Sequence, residues 1–323
     1  MRDAYGRSFA YLRLSVTDVC NFSCQYCLPD GFRKKPGPGF LSLNEIRRLA
    51  SAFAALGLWK IRITGGEPTV RKDFTQIIET LRAVPGVKTL ATTTNGYRLR
   101  DNAQTWRDAG LDAINISVDS FDAKTFHQLT GHDRLPEVLQ GVEACLDAKF
   151  ASVKLNAVLL KGVNDHDLAS YLDFVQDRPI SIRFIELMRT GDNADYFHKH
   201  HLPASQVSDQ LRAQDWVQKT REPGAGPAIE FVHPNYAGRI GLIAPYSKDF
   251  CTSCNRLRVS ARGNLHLCLF SENGISLRDL LQSDAEQTQL MQFIQQQLQQ
   301  KSASHFLHQG NSGGTQKLAD IGG

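Results

Sequence analysis

Residues 11–27 read YLRLSVTDVCNFSCQYC, a strand-like run that empties into three cysteines. Within the run Arg13 lies between Leu12 and Leu14, the period-two alternation of a strand with two unlike faces. Five more runs of this kind follow: KIRIT (60–64), TLATTT (89–94), AINISV (113–118), VKLNAVLL (153–160) and ISIRFIEL (180–187). Helical patterns lie between them. The clearest spans Leu43 to Leu56, with Ser42 and Glu45 as a capping box and Gly57 as its stop. Six β–α repeats predict a parallel sheet with right-handed crossovers, wound into a partial (β/α)6 barrel rather than the complete eightfold one.

A Pro- and Gly-rich break, QKTREPGAGPA (218–228), ends this pattern. Short strand candidates follow (AIEFVH, RIGLI, RLRVS, NLHLCLF). An amphipathic helix then starts at Ser283, where Glu286 completes a second capping box, and a Gly-rich tail comes last. The expected organisation is an α/β core over residues 5–220 and a smaller α+β domain over 221–323.

The composition of the 323 residues is that of a soluble globular protein, 41% hydrophobic and 22% charged. No apolar run approaches the ~18 residues of a membrane span, and the first residues lack the apolar stretch of a signal peptide. A cytoplasmic location is expected. The net charge of +4 is too small to argue for nucleic acid or membrane as a partner. Seven cysteines cannot all pair in disulfides, and six fall in two tight groups, which favours metal ligation.

Cys20, Cys24 and Cys27 form C-x3-C-x2-C; Cys251, Cys254 and Cys268 form C-x2-C-x13-C. Three thiolates can cage an iron–sulfur cube and leave one iron open to a ligand. The competing reading of the first trio is zinc with a fourth ligand from elsewhere, or part of an ordinary ferredoxin-like centre. For the second it is a zinc ribbon, with His266 as substitute. Arg256 and Arg258, two apart on a strand, face one way, opposite to Leu257 and Val259. Two guanidinium forks suit a polyphosphate or carboxylate, although a solvated strand face would look the same.

Cations also sit inside the core strands: Arg13, Arg62 between Ile61 and Ile63, and Lys154 between Val153 and Leu155. Asn115 and Ser117 alternate with Ile114, Ile116 and Val118. Buried charges need partners. Convergence on an anion in a polar lumen is one solution and local ion pairs are the other. No G-x4-G-K-[ST] or N-K-x-D occurs, which excludes a P-loop GTPase. The FHKHH run (197–201) reads as a surface loop, His305 and His308 as packing or surface residues, and Cys145 as a small buried apolar residue.

The trio CNFSCQYC, with Tyr26 before its last cysteine, and Gly65-Gly66-Glu67-Pro68 after the second strand resemble the signatures of radical S-adenosylmethionine (SAM) enzymes. Adding TTNGYRL, NISVDS, RFIELM, KDFCTSCNRLRVSARGNLHLCLF and a terminal Gly-Gly, the chain from about residue 5 onward resembles the GTP 3′,8-cyclase family of molybdenum-cofactor biosynthesis. The resemblance implies a radical-SAM barrel and two [4Fe–4S] clusters. Cys20, Cys24 and Cys27 would hold the first cluster. The C-terminal domain would carry the second on Cys251, Cys254 and Cys268, its open iron facing the guanine.

Tyr26, Gly66, Ser117 and Met188 would contact SAM. Arg13, Arg62, Thr93, Lys154, Arg256, Leu257 and Arg258 would contact GTP. The three cysteines of the first trio, Arg256, Arg258 and the tail Gly322-Gly323 would take part in catalysis. A 5′-deoxyadenosyl radical would abstract hydrogen from C3′ of GTP, and the sugar radical would add to C8. The implied partners are an electron donor and a downstream cyclic pyranopterin monophosphate synthase, with the chain a monomer or homodimer.

Overall fold

Leu12 lies beside Ile61, and Ile61 beside Leu90, in neighbouring parallel strands, while Arg13 pairs with Arg62 one residue on. This in-register alternation gives the sheet one apolar and one polar face. The computed structural model describes the chain except residues 35, 221–224, 272–273, 311–312, 316 and 323, and of Asp320 only the backbone.

The six expected core strands are present: β1 (Tyr11–Ser15), β2 (Lys60–Thr64), β3 (Thr89–Thr94), β4 (Ala113–Ser117), β5 (Ser152–Leu159) and β6 (Ser181–Glu186). The later segment supplies β7 (Val217–Gln218), β8 (Ile229–Val232), β9 (Arg239–Ile243), β10 (Arg256–Val259), β11 (Asn264–His266) and β12 (Ile275–Ser276). Among the described residues these twelve make one sheet, in the order β12-β11-β10-β1-β2-β3-β4-β5-β6-β9-β8-β7. From β10 through β9 all neighbours run parallel, and the pairings outside them are antiparallel.

The C-terminal strands are thus built into both edges of the barrel sheet. β9 extends the edge of β6, and β10 covers β1. The NLHLCLF run keeps only three strand residues. Beyond them the Leu267 carbonyl accepts from Lys301 rather than from a neighbouring strand.

Helices α1 (Leu43–Ala55), α2 (Phe74–Arg82), α3 (Leu99–Asp108), α4 (Ala123–Thr130), α5 (Leu135–Asp147) and α6 (Leu168–Gln176) follow the core strands in turn, two of them after β4. Ser42 and Glu45 do form the capping box of α1. Its Ile46, Leu49 and Phe53 are fully buried in the same core as Leu12, Ile61 and Ile63. Cutting Phe53 to Ala would cost about 3–5 kcal/mol.

After β6 come α7 (Ala194–His200) and α8 (Ala204–Arg212), and after β12 comes α9 (Gln287–Leu298). The second capping box, Ser283 with Glu286, sits on a 3-10 turn leading into α9, which buries Leu290, Ile294 and Leu298. The FHKHH run is not a loop. It ends α7, where Phe197 packs near Leu187, the Phe197 N–H donates to the Asn193 carbonyl, and His201 Nε2 bonds Glu186 at 2.8 Å. Cys145 is buried on α5, as expected, and burial pushes its thiol up to about 12.

Candidate active site

The polar face of the sheet encloses a cavity of about 920 Å³, and both cysteine trios line it. Topology puts them at opposite ends. Cys20, Cys24 and Cys27 follow the C-terminal end of β1. Cys251 and Cys254 precede β10, whose first residue Arg256 pairs with Tyr11, the first residue of β1. None of the seven cysteines is joined in a disulfide, and those of the two trios are half-buried.

The first loop is held by hydrogen bonds to α4, from Ser23 N–H to Thr130 O and from Gln25 N–H to Leu129 O, at 3.1 and 3.0 Å. The Gly65-Gly66-Glu67 turn docks on it from the other side. Gly66 N–H donates to Thr17 O at 2.9 Å and Glu67 N–H to Val19 O at 2.8 Å. A Cβ on Gly66 would lie 2.5 Å from the Val19 carbonyl oxygen and 2.7 Å from that of Asp18, so only glycine permits this approach.

The buried Glu67 carboxylate ties the turn down by accepting from Thr69, Thr94 and the Asn95 N–H. Tyr26 Oη donates to Asp119 at 2.7 Å. Burial raises the Asp119 carboxyl to about 6 against the hydrogen bonds from Val158 and Tyr26. Burial, then Asp119 and the other two thiols, pushes Cys24 well up.

Midway along the lumen the register makes two polar rows. Arg62, Arg13 and Arg258 sit side by side across β2, β1 and β10. Thr93, Asn115, Lys154 and Ser181 do so across β3 to β6. Arg62 donates to the Tyr11 hydroxyl at 2.5 Å, Thr92 O at 2.9 Å and Thr93 Oγ1 at 3.2 Å. Arg13 Nη2 and Arg258 Nη1 donate to the Gly322 carbonyl at 2.8 and 3.1 Å. Arg183, by contrast, is ion-paired with Glu230 at 3.2 Å.

Crowded cations leave their mark on titration. Burial would raise the Tyr11 phenol, yet Arg62, Arg13 and Lys60 bring it down to about 7. Burial first, then Arg183, lowers Lys154 to about 7 despite Glu230.

The second trio lies among cations. Arg256 lines the cavity beside it, its guanidinium 5.6 Å from the centre of the Phe250 ring. Arg7 donates to the Cys251 carbonyl at 3.2 Å. Burial raises the Cys254 thiol, but Lys301 and Arg256 outweigh it and leave it below the usual value.

Among the described residues no three His, Cys, Asp or Glu side chains come close enough to hold a single metal ion. Each trio offers three thiols, a donor set whose chemistry fits one thiolate per metal in an iron–sulfur cube.

Of the residues singled out in the sequence, Arg13, Tyr26, Arg62, Gly66, Thr93, Ser117, Lys154, Met188, Arg256 and Arg258 line this one cavity with all six clustered cysteines. Leu257 does not: its side chain is fully buried in the apolar core, because it alternates with the two arginines. His266 is off the cavity wall and held neutral, at about 4, by burial and Arg258. His305 is buried between Phe250 and Phe270.

Gly322 reaches the lumen, while Gly323 lies outside the described residues. Sequence reasoning missed Tyr11, Lys60, Asp119 and Arg183. Arg183 carried the same signal as Arg13, a cation between Ile182 and Phe184.

A family model described as Radical SAM superfamily matches residues 14–175, and one described as Molybdenum Cofactor Synthesis C matches residues 180–307. A GTP 3′,8-cyclase of Yersinia pestis is 59% identical over 100% of this chain and 99% of its own. The chain belongs to the GTP 3′,8-cyclase family. A member from Vibrio parahaemolyticus is 55% identical over 99% of this chain and 97% of its own. Among solved structures, Streptococcus suis SuiB bound to S-adenosylmethionine superposes with a TM-score of 0.61 at 14% identity, over 88% of this chain and 68% of that one. At that identity the likeness is one of fold, the radical-SAM α/β architecture. Among the described residues no helix is long and apolar enough to cross a membrane.

Proposed function

We propose that this chain is a radical SAM enzyme that joins C3′ of GTP to C8 of its guanine, an early step of molybdenum-cofactor biosynthesis. One [4Fe–4S] cluster is held by Cys20, Cys24 and Cys27 and a second by Cys251, Cys254 and Cys268. The observation that carries this reading is the arrangement of two thiol trios at opposite ends of one cavity with a belt of cations between them. When bound, the first cluster and SAM supply a 5′-deoxyadenosyl radical.

The chain's own residues position and enclose. Tyr26, Gly66, Ser117 and Met188 hold SAM at the C-terminal end of the strands. Arg13, Arg62, Thr93, Lys154, Arg256 and Arg258 hold GTP, with Leu257 contributing backbone alone. Cations on a phosphate chain grip a part of the substrate that does not react, and that binding energy fixes the sugar in reach of the radical source. Gly322 closes this chamber, its carbonyl setting the directions of Arg13 and Arg258, and the terminal pair Gly322-Gly323 takes part in catalysis. Closure keeps water and stray hydrogen donors from a reactive sugar.

An electron donor in the cytoplasm feeds the first cluster, and cyclic pyranopterin monophosphate synthase takes the product. The test is anaerobic incubation with SAM, GTP and a reductant. It should yield 5′-deoxyadenosine and, in equal amount, a nucleotide isomeric with GTP whose guanine absorbance is lost. Deoxyadenosine formed without any change in GTP would refute the cyclase reading.

A further inference from the structure

Asn115 sits in the middle of β4 and is 5% exposed, yet among the described residues its Oδ1 has no hydrogen-bond partner. The residue lines the cavity, in register with Thr93 on one side and Lys154 on the other. Leaving a buried carbonyl oxygen unpaired costs about 1–3 kcal/mol, so such a group asks for a donor that arrives with a ligand. The neighbouring polar groups on the wall are mostly donors: the Lys154 ammonium and the guanidiniums of Arg62 and Arg183. Phosphate oxygens satisfy those but cannot satisfy the unpaired Asn115 Oδ1, because both are acceptors. The donors that GTP offers are its ribose hydroxyls and the N–H groups of guanine.

Position along the strand chooses between them. Ser117, two residues further on β4 and on the same face, lies nearer the C-terminal end, where the first trio and the Gly65-Gly66 turn stand. The second trio is at the opposite end of the lumen. A substrate whose sugar carbon reacts with a radical made at the first trio must place its sugar next to that end. Asn115 is one lumen-facing step below it. We propose that the Asn115 side-chain carbonyl accepts a hydrogen bond from the 2′-hydroxyl of the bound nucleotide's ribose, making Asn115 the residue that selects ribo- over deoxyribonucleotide. A grip on the 2′-hydroxyl orients the neighbouring C3′–H bond without touching the reacting carbon.

This inference rests on the reading of the cavity as a GTP site, and the experiment separates the two. Equilibrium binding of GTP, 2′-deoxy-GTP and ITP is measured on the anaerobically reconstituted protein and on its Asn115→Ala and Asn115→Leu variants. Iron content and SAM binding serve as folding controls. The unaltered protein should prefer GTP to 2′-deoxy-GTP roughly tenfold. Either variant should lose that preference and keep its preference for GTP over ITP. Persistence of the ribose preference in a folded variant, or loss of the ITP preference instead, overturns the assignment. If the unaltered protein binds no GTP, the reading of the whole cavity falls and this inference with it.

Discussion

Arg13 Nη2 donates to the carbonyl of Gly322 at 2.8 Å, joining the first strand of the barrel to a residue 309 positions later. Arg258, beside Arg13 in the sheet, donates to the same oxygen, and so does Thr64 Oγ1 at 3.2 Å. One carbonyl thus gathers three donors from β10, β1 and β2. Gly322 can do this because its φ is +70° and it has no Cβ, which there would collide with Thr64 and crowd Ser15. Gly322→Ala adds a methyl group that clashes with Thr64, in a backbone region that disfavours it. We expect this variant to fold and bind iron normally but to form product at least tenfold more slowly, as measured by nucleotide turnover. Full turnover would show that the tail's seat in the lumen is incidental.

Arg256 and Arg258 are expected to work on the substrate and not on the fold. Charge-assisted hydrogen bonds contribute about 1.5–3 kcal/mol each, so the Arg256→Ala/Arg258→Ala double variant should bind GTP at least a hundredfold more weakly. Its iron and sulfide content should stay at that of the parent. Equilibrium dialysis with labelled GTP reads the first quantity, and colorimetric assay the second. Undiminished affinity would remove both residues from the substrate site.

Much of this architecture was legible because a strand keeps strict period two. Ile61 and Ile63 must be buried if Arg62 faces the lumen, so the polar face could be read from KIRIT alone. The cysteine spacings likewise declared two donor sets. What local sequence could not declare was which strand neighbours which. Arg256 and Arg258 sit beside Tyr11 and Arg13 only because β10 returns to pair with β1 across more than 240 residues. The role of Tyr11 was hidden for the same reason: an aromatic at a strand start looks like packing until Arg62 is seen to bond its hydroxyl. Leu257, which the resemblance placed among the GTP contacts, sends its side chain into the core by the same alternation, so only its backbone is left to face the site.

Lys154 should make GTP binding fall as the solution becomes alkaline. Burial and the nearby Arg183, Arg62 and Lys60 lower its ammonium to about 7, with Glu230 acting the other way. Phosphate favours the charged form, so the nucleotide complex holds its proton to higher pH than the free protein does. Affinity is therefore full below pH 7 and declines as pH rises above it, by up to about tenfold per unit until the complex itself deprotonates. The Tyr11 phenol, also brought to about 7 by Arg62, Arg13 and Lys60, becomes anionic over the same range and adds to the decline. Titration of GTP affinity from pH 6 to 9 in the parent, Lys154→Met and Tyr11→Phe should show a shallower slope in each variant. Equal slopes in all three would assign the dependence to other groups.

Gly66→Ala should separate the two cysteine-bearing ends of the lumen. Its new methyl group would meet the Val19 and Asp18 carbonyls at 2.5 and 2.7 Å, and backbone there cannot yield without moving the loop that carries Cys20. Gly65 is seated as tightly, since a Cβ there would lie 2.5 Å from Thr17 O, so relief in that direction is also blocked. The second trio is at the far end of the lumen and on other elements, and it should be untouched. Two cubes correspond to roughly eight irons per chain. The variant should retain about half after reconstitution, should not cleave SAM, and should still bind GTP within a few-fold of the parent. A Cys20→Ala variant should reproduce the same iron loss by removing a ligand instead of moving its loop. Iron at the parent level together with intact SAM cleavage in Gly66→Ala would mean that the turn's tight docking on the first cysteine loop has no part in holding the cluster.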